Sequence, residues 1–373
     1  MRRESLVPRP DWAARVEALG FTYHTHETGP YWDESACYVL SSAEVNELEL
    51  AGNALHALYL EAAQTVIDRD WFERLGIPTK AVPAIVASWE RDDPSVYGRF
   101  DIAYDGKQQP KLLEYNADTP TALVEASVVQ WYWLKERFPK ADQFNSIHER
   151  LIKAWRAVGS AKVHFTSMGE LPEDEQTVAY LMDTCQQAGF APQWLAIGDV
   201  GWDEKARCFA DLRGARIDAL FKLYPWEWLW EESFAAEVAT APGLFIEPPW
   251  KLLYQSKGML PVLWELFQDH PNLLPAYDEP SRLNGSYARK PRFSREGANV
   301  TLVERGFTLE ENQGDYAAQG FIYQALAPMP DFAGNRPVMG LWMANNEACG
   351  LGIREDTRRI TGNLSRFVPH RME

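Results

Sequence analysis

Residues 97 to 120 read YGRFDIAYDGKQQPKLLEYNADTP, and four of them, Arg99, Asp101, Glu114 and Asn116, have the chemistry to bind a cation and to steady an anion. Two alternating segments, GRFDIAY and PKLLEYN, flank a turn containing Asp105 and Gly106, the pattern of a β-hairpin. Side chains two apart in a strand share a face, so Arg99 lies with Asp101 and Glu114 with Asn116, while Phe100 and Tyr115 point the other way. A loop centred between Lys107 and Gln108 sets Asp101 opposite Glu114 and Arg99 opposite Asn116. A tighter turn on Asp105 and Gly106 shifts the register and keeps the faces.

Carboxylates placed directly opposite on adjacent strands repel. A divalent cation removes that repulsion, and carboxylate and amide oxygens are the hard ligands that magnesium accepts, with water and substrate phosphates filling the remaining positions. Beside such ions, Arg99 would stabilise charge developing on a reacting phosphoryl or acyl group. The residue types leave two other readings open: a solvated hairpin face with an Arg–Asp salt bridge, and a metal-free carboxylate pair of the kind glycosidases use.

The elements that must position this hairpin are mixed. Residues 43 to 68 carry apolar residues at helical spacing, with Ser42 as N-cap, and further helices are expected over 121 to 138 and 145 to 158. The middle alternates strand (161 to 167), helix (174 to 189), strand (191 to 198) and a further strand (217 to 224), which predicts a small open α/β sheet. From about Pro249 the pattern becomes one helix (257 to 267) followed by several strands, an α+β arrangement.

With 373 residues, 46% hydrophobic and 24% charged, the chain is expected to fold as one globular unit. No apolar run approaches the roughly 20 residues of a membrane-spanning helix. The start, MRRESLVPRPDW, lacks a signal-peptide core, and the four scattered cysteines form no C-x-x-C pair. The expectation is a cytoplasmic protein without a membrane partner. A net charge of −16 argues against nucleic acid, whose backbone is held by clustered Lys and Arg, and suits a cationic ligand such as a polyamine. Fifteen tryptophans fit core packing; the alternative is a stacking surface, which with the carboxylate pair would suit a carbohydrate-active enzyme.

RFD followed by LEYNADTP, with PYWDESACY near the start and GIREDTRRITGNLSRFVPH at the end, resembles the glutathionylspermidine synthase family from about Tyr23 to the C-terminus. The match is to the synthetase part; no amidase domain of the kind that bifunctional members carry is expected. The resemblance implies an ATP-grasp fold of mixed α+β and α/β class, with a pre-ATP-grasp-like α/β subdomain at about 159–248. Residues about 1–158 and 249–373 would combine as the ATP-grasp and helical parts of one 1–373 synthetase unit. It implies an acid–amine ligase that uses ATP to activate a carboxylate as an acyl phosphate for attack by an amine. The acid would be a peptide such as glutathione, and the amine a polyamine such as spermidine.

By the same resemblance, Asp101, Glu114 and Asn116 match magnesium ligands, expected for a pair of Mg²⁺ ions, and Arg99 and Arg354 match the arginines beside the transferring phosphoryl group. Lys257 and Lys290 match nucleotide-binding lysines, as phosphate charge requires where magnesium does not reach. Gly297 and Ala298 fall in the loop that closes over the phosphates, where this chain has one glycine and adds Arg292 and Arg295. The altered loop leaves room for a nucleotide-binding protein that has lost catalysis. Gln324, Ala325, Leu326 and Ala327 align with the adenine pocket, where backbone groups commonly bind. Thr119, Asp174 and Glu175 match substrate contacts, although acids at a helix N-terminus also serve the helix dipole. Lys222 is matched as well, but Leu223 stands where a hydroxyl residue would help hold glutathione.

Overall fold

The computed structural model describes residues 1–373 apart from Glu170 and Ala317. Its longest helix, Ser42–Asp68, starts one residue later than its cap: Ser41, not Ser42, takes the N-cap position. The Ser41 hydroxyl accepts from the Glu44 N–H, and the Glu44 carboxylate accepts from the Ser41 N–H, a reciprocal capping box. The inner face of this helix, including Leu48, Leu55 and Tyr59, packs on the neighbouring strands Arg336–Ala344 and Glu347–Asp356 and on the helices Lys251–Gln255 and Met259–Leu266.

One five-stranded antiparallel sheet runs in the order Arg366–Phe367, Glu347–Asp356, Arg336–Ala344, Tyr97–Ala103, Lys111–Asn116. A second runs Ala276–Tyr277, Phe321–Ala325, Tyr287–Pro291, Thr301–Glu304, Phe307–Glu311. A separate four-stranded sheet is parallel throughout, in the order Leu244–Ile246, Ala219–Leu223, Lys162–Ser167, Ala191–Ala196. The helix Pro172–Gln187 crosses between its last two strands, as parallel pairing requires.

The segment anticipated as a helix over 121–138 has a π-turn at Glu125–Val129 before regular helix resumes at Gln130–Arg137. Six tryptophans, at 32, 133, 155, 226, 230 and 342, are among the largest fully buried side chains, so aromatic richness goes mainly into packing. Among the described residues, no helix is long and apolar enough to cross a membrane.

Candidate active site

The hairpin forms with Asp101 opposite Glu114 and Arg99 opposite Asn116. Past Asp101 the register slips: Ile102 pairs with Leu112, leaving Leu113 as a bulged residue between Leu112 and Glu114. The bulge turns the Leu113 carbonyl to the Lys290 Nζ, which donates to it at 2.9 Å. The four polar side chains line one wall of a cleft of about 250 Å³ between the two antiparallel sheets, and Lys290 and Gln324 line the other.

Charge on the hairpin is already balanced by side chains. Arg99 donates to Asp101 through Nε at 2.8 Å and Nη2 at 3.3 Å, and its Nη1 donates to the Thr121 carbonyl at 2.6 Å. Lys257 Nζ stands 3.5 Å from Glu114 Oε2 and donates to the Ser294 carbonyl at 2.9 Å. Burial works against the Glu114 carboxylate, but Lys257, Lys290 and Arg99 outweigh it and hold its pKa below the usual range. Burial also brings the Lys290 ammonium down to about 8, against the pull of Glu114. The cations therefore offset the carboxylate repulsion without a metal, a solution the hairpin sequence taken alone does not show.

Among the described residues, no group of three His, Cys, Asp or Glu side chains is placed to hold a metal. Two carboxylates and an amide suffice for magnesium, which keeps several waters and takes the rest from phosphates. Among the described residues the Asn116 side-chain nitrogen is buried without a hydrogen-bond acceptor, so no partner fixes the amide there, and its oxygen is the atom that could join such a donor set.

Arg99 lies flat along the next strand because position 340 is glycine: a Cβ there would come within 2.8 Å of the Arg99 Cδ. Arg354, on the strand beyond, lines the same cleft and makes no ion pair or side-chain hydrogen bond among the described residues. Gly297 also lines the cleft, with φ +69° and a Cβ position only 2.7 Å from both Ile360 Cγ2 and the Thr361 carbonyl oxygen, so a side chain is excluded there. Ala298 is not on the cleft wall; its N–H closes a turn on the Arg295 carbonyl. Ala325, Leu326 and Ala327 line the far end. Gln324 does more than its backbone suggests: its Oε1 accepts from Lys290 at 2.7 Å while its Nε2 donates to the Leu112 carbonyl at 2.9 Å.

Around Thr119 the structure brings together residues the sequence did not connect. Arg295 Nη2 donates to Thr119 Oγ1 at 2.7 Å and lies 3.4 Å from Glu227 Oε1, with its guanidinium 5.5 Å from the Trp228 ring centre. Asp174 is half-buried, its pKa raised by burial and by Glu296 against the pull of Arg295. Glu175 turns outward and is exposed, whereas its neighbour Glu173 faces the cluster. Burial, with Glu125 and Asp174 nearby, pushes the Glu173 carboxyl up to about 8. Glu125 is itself buried and accepts from the Tyr31 hydroxyl at 2.7 Å. Leu223 sits in the core, and Lys222 is fully buried against Asp118 at 2.7 Å. A lysine inside the apolar strand ALFKL was the one available signal, since a buried lysine demands a partner.

Two antiparallel sheets closing on a cleft of hairpin acids and facing lysines, beside a small parallel sheet, define an ATP-grasp-type protein. The fold matches that of a glutathione synthetase-like effector from Globodera pallida, solved in its apo form, with a TM-score of 0.56 at 10% identity, covering 90% of this chain and 88% of that one. The model of the glutathionylspermidine synthase pre-ATP-grasp family matches residues 3–373, and the chain belongs to that family. A Haemophilus influenzae protein named provisionally as an acid–amine ligase is 38% identical, over 99% of both chains. The trypanothione synthetase of Crithidia fasciculata is 29% identical over 86% of this chain, which spans 54% of that longer protein. The named relatives are ligases, and the chain is an enzyme of the same family.

Proposed function

We propose that this protein is a magnesium-dependent ligase that uses ATP to join a carboxylate to an amine. The observation that carries the reading is the convergence of Arg99, Asp101, Glu114 and Asn116 on one hairpin face, across a single cleft from Lys290. Asp101, Glu114 and Asn116 would hold magnesium, which when bound neutralises and orients the nucleotide phosphates. Lys290 from the second sheet and Lys257 from the turn before the helix Met259–Leu266 meet phosphate charge, and residues 324 to 327 border the base. The loop containing Gly297 lies over the cleft.

A carboxylate oxygen of the acid attacks the γ-phosphorus, the bond to the β-phosphate oxygen breaks, and ADP leaves. Arg99 and Arg354 stabilise the charge on the group in transfer. The amine nitrogen then attacks the acyl carbon of the acyl phosphate, inorganic phosphate departs with its bridging oxygen, and the ammonium proton is released. Asp174, joined by Glu173 once it ionises above about pH 8, supplies the negative charge that draws a cationic amine toward this end of the site. Glu175, which is exposed, is left out of that role. Positioning and charge supply the catalysis, and no protein nucleophile takes part.

The acid is a peptide or other carboxylate, with glutathione a first candidate because of the family, and the amine is a polyamine or a smaller amine. Leu223 in the core and Lys222 bound to Asp118 leave neither free to touch glutathione, so the acid end of this site is not copied from that pattern. The test is ADP release measured for a panel of acids and peptides crossed with a panel of amines, in Mg²⁺. Release that requires both an acid and an amine supports the ligase. Tight Mg-ATP binding with no release for any pair favours a nucleotide-binding protein that has lost catalysis, and thermal stabilisation by oligosaccharide instead of ATP refutes both.

A further inference from the structure

We propose that Asp118 is a positioning residue that locks the magnesium-facing strand to the parallel-sheet subdomain and to the loop over the cleft, an inference that rests on the ligase reading. Asp118 is two residues beyond Asn116 and only 1% exposed, so it does not reach the cleft. Four hydrogen bonds fix it and its neighbour. Its Oδ1 accepts from Lys222 Nζ at 2.7 Å and its Oδ2 from the Trp226 N–H at 2.8 Å. The N–H groups of Ala117 and Asp118 both donate to Gln255 Oε1, at 2.9 and 3.2 Å.

Each partner leads to a different part of the site. Gln255 lines the cleft and lies two residues before Lys257, so the strand carrying Asn116 and the segment carrying the phosphate lysine are joined at one amide. Trp226 opens a short helix whose next residues, Glu227 and Trp228, hold Arg295; Arg295 returns to Thr119, the residue after Asp118. Asp118, Trp226, Glu227, Arg295 and Thr119 therefore close a ring that contains the loop's arginine and the end of the metal-facing strand. Lys222 stacks over Trp226 with its Nζ 4.2 Å from the ring centre, and donates also to the Tyr224 carbonyl at 3.0 Å.

Fold stability alone does not explain the pair. Two fully buried opposite charges give little net stability over apolar residues of the same volume, and here they stand at the junction of three parts of the cleft. Groups that orient a metal's direct ligands are worth about ten- to a hundredfold in metal affinity or activity.

The test uses the full chain with Asp118→Ala combined with Lys222→Met, which cuts both links and leaves no unpaired buried charge. Mn²⁺ binding is read by electron paramagnetic resonance in the presence of a non-hydrolysable ATP analogue, together with the melting temperature. The double variant is expected to melt near the wild type while binding Mn²⁺ about ten- to a hundredfold more weakly, and ADP release should need correspondingly more Mg²⁺. Wild-type Mn²⁺ affinity in the double variant overturns the proposal. Loss of its folded state overturns it too, because the pair would then serve stability. Wild-type protein that binds Mn²⁺ with nucleotide yet never releases ADP defeats the ligase reading and leaves the metal-affinity comparison to decide this one.

Discussion

Replacing Lys290 with methionine separates nucleotide binding from folding. The Lys290 side chain is buried, and its Nζ spans the cleft from the Leu113 carbonyl to Gln324 Oε1. Burial of the ammonium is unfavourable in the free protein, as its pKa of about 8 records, and removing it relieves that cost. Against this, the Leu113 and Gln324 oxygens lose a donor, at about 1–3 kcal/mol for an acceptor left without one. The two effects oppose each other, and the melting temperature of the free variant should move by no more than about 4 °C. Bound ATP feels only the loss. A hydrogen bond to a charged group contributes about 1.5–3 kcal/mol, so affinity should fall roughly 10- to 150-fold. Titration calorimetry with Mg²⁺ and a non-hydrolysable ATP analogue measures this directly. An unchanged dissociation constant in a folded Lys290→Met protein would refute the placement of phosphate between the two sheets.

Glu114→Gln should reduce ADP release at least a hundredfold with little change in melting temperature, because Lys257 keeps its bond to the Ser294 carbonyl; turnover near the wild-type level would remove Glu114 from the metal site. Asp101→Asn is a better test than Asp101→Ala: both remove the counter-charge of the buried Arg99 guanidinium, but asparagine keeps an oxygen to accept from it, so its loss of stability should be smaller than the about 3–5 kcal/mol expected for alanine. The raised pKa of Glu173 means that the native protein holds a proton the unfolded chain has released, so stability should fall as pH rises from about 4.5 to 8. Over the upper part of that window the KM for a cationic amine should fall as Glu173 ionises, and Glu173→Gln should flatten both profiles. Ser41→Ala removes the capping hydroxyl of the longest helix, and should lower stability by about 1 kcal/mol without altering KM or kcat, as read by chemical denaturation and steady-state assay.

The sequence by itself determined the hairpin and the faces within each strand, since a period of two sets Arg99 with Asp101 and Glu114 with Asn116; the bulge at Leu113 decided that both pairs share one side, because the register before it, Ile102 opposite Leu112, would have turned them apart. Local patterning also gave the long helix, whose capping box lies within four residues, and the strand–helix–strand order of the parallel sheet. The reciprocal Ser41–Glu44 bonds moved the cap from Ser42, a choice between two adjacent serines that only backbone geometry makes. Tertiary structure decided which charges meet. Asp174 and Glu175 are equivalent as residue types at a helix N-terminus, but neighbours in a helix point about 100° apart, so packing left Glu175 in water and turned Glu173 and Asp174 inward, Glu173 beside Glu125. Gln324 gained a side-chain role because two sheets face each other across Lys290, and Lys222 went to Asp118 across a separation of 104 residues. Such partners leave no periodic trace in a sequence, because long-range pairing is set by the packing of whole elements, whereas the hairpin writes its pairing within twenty residues.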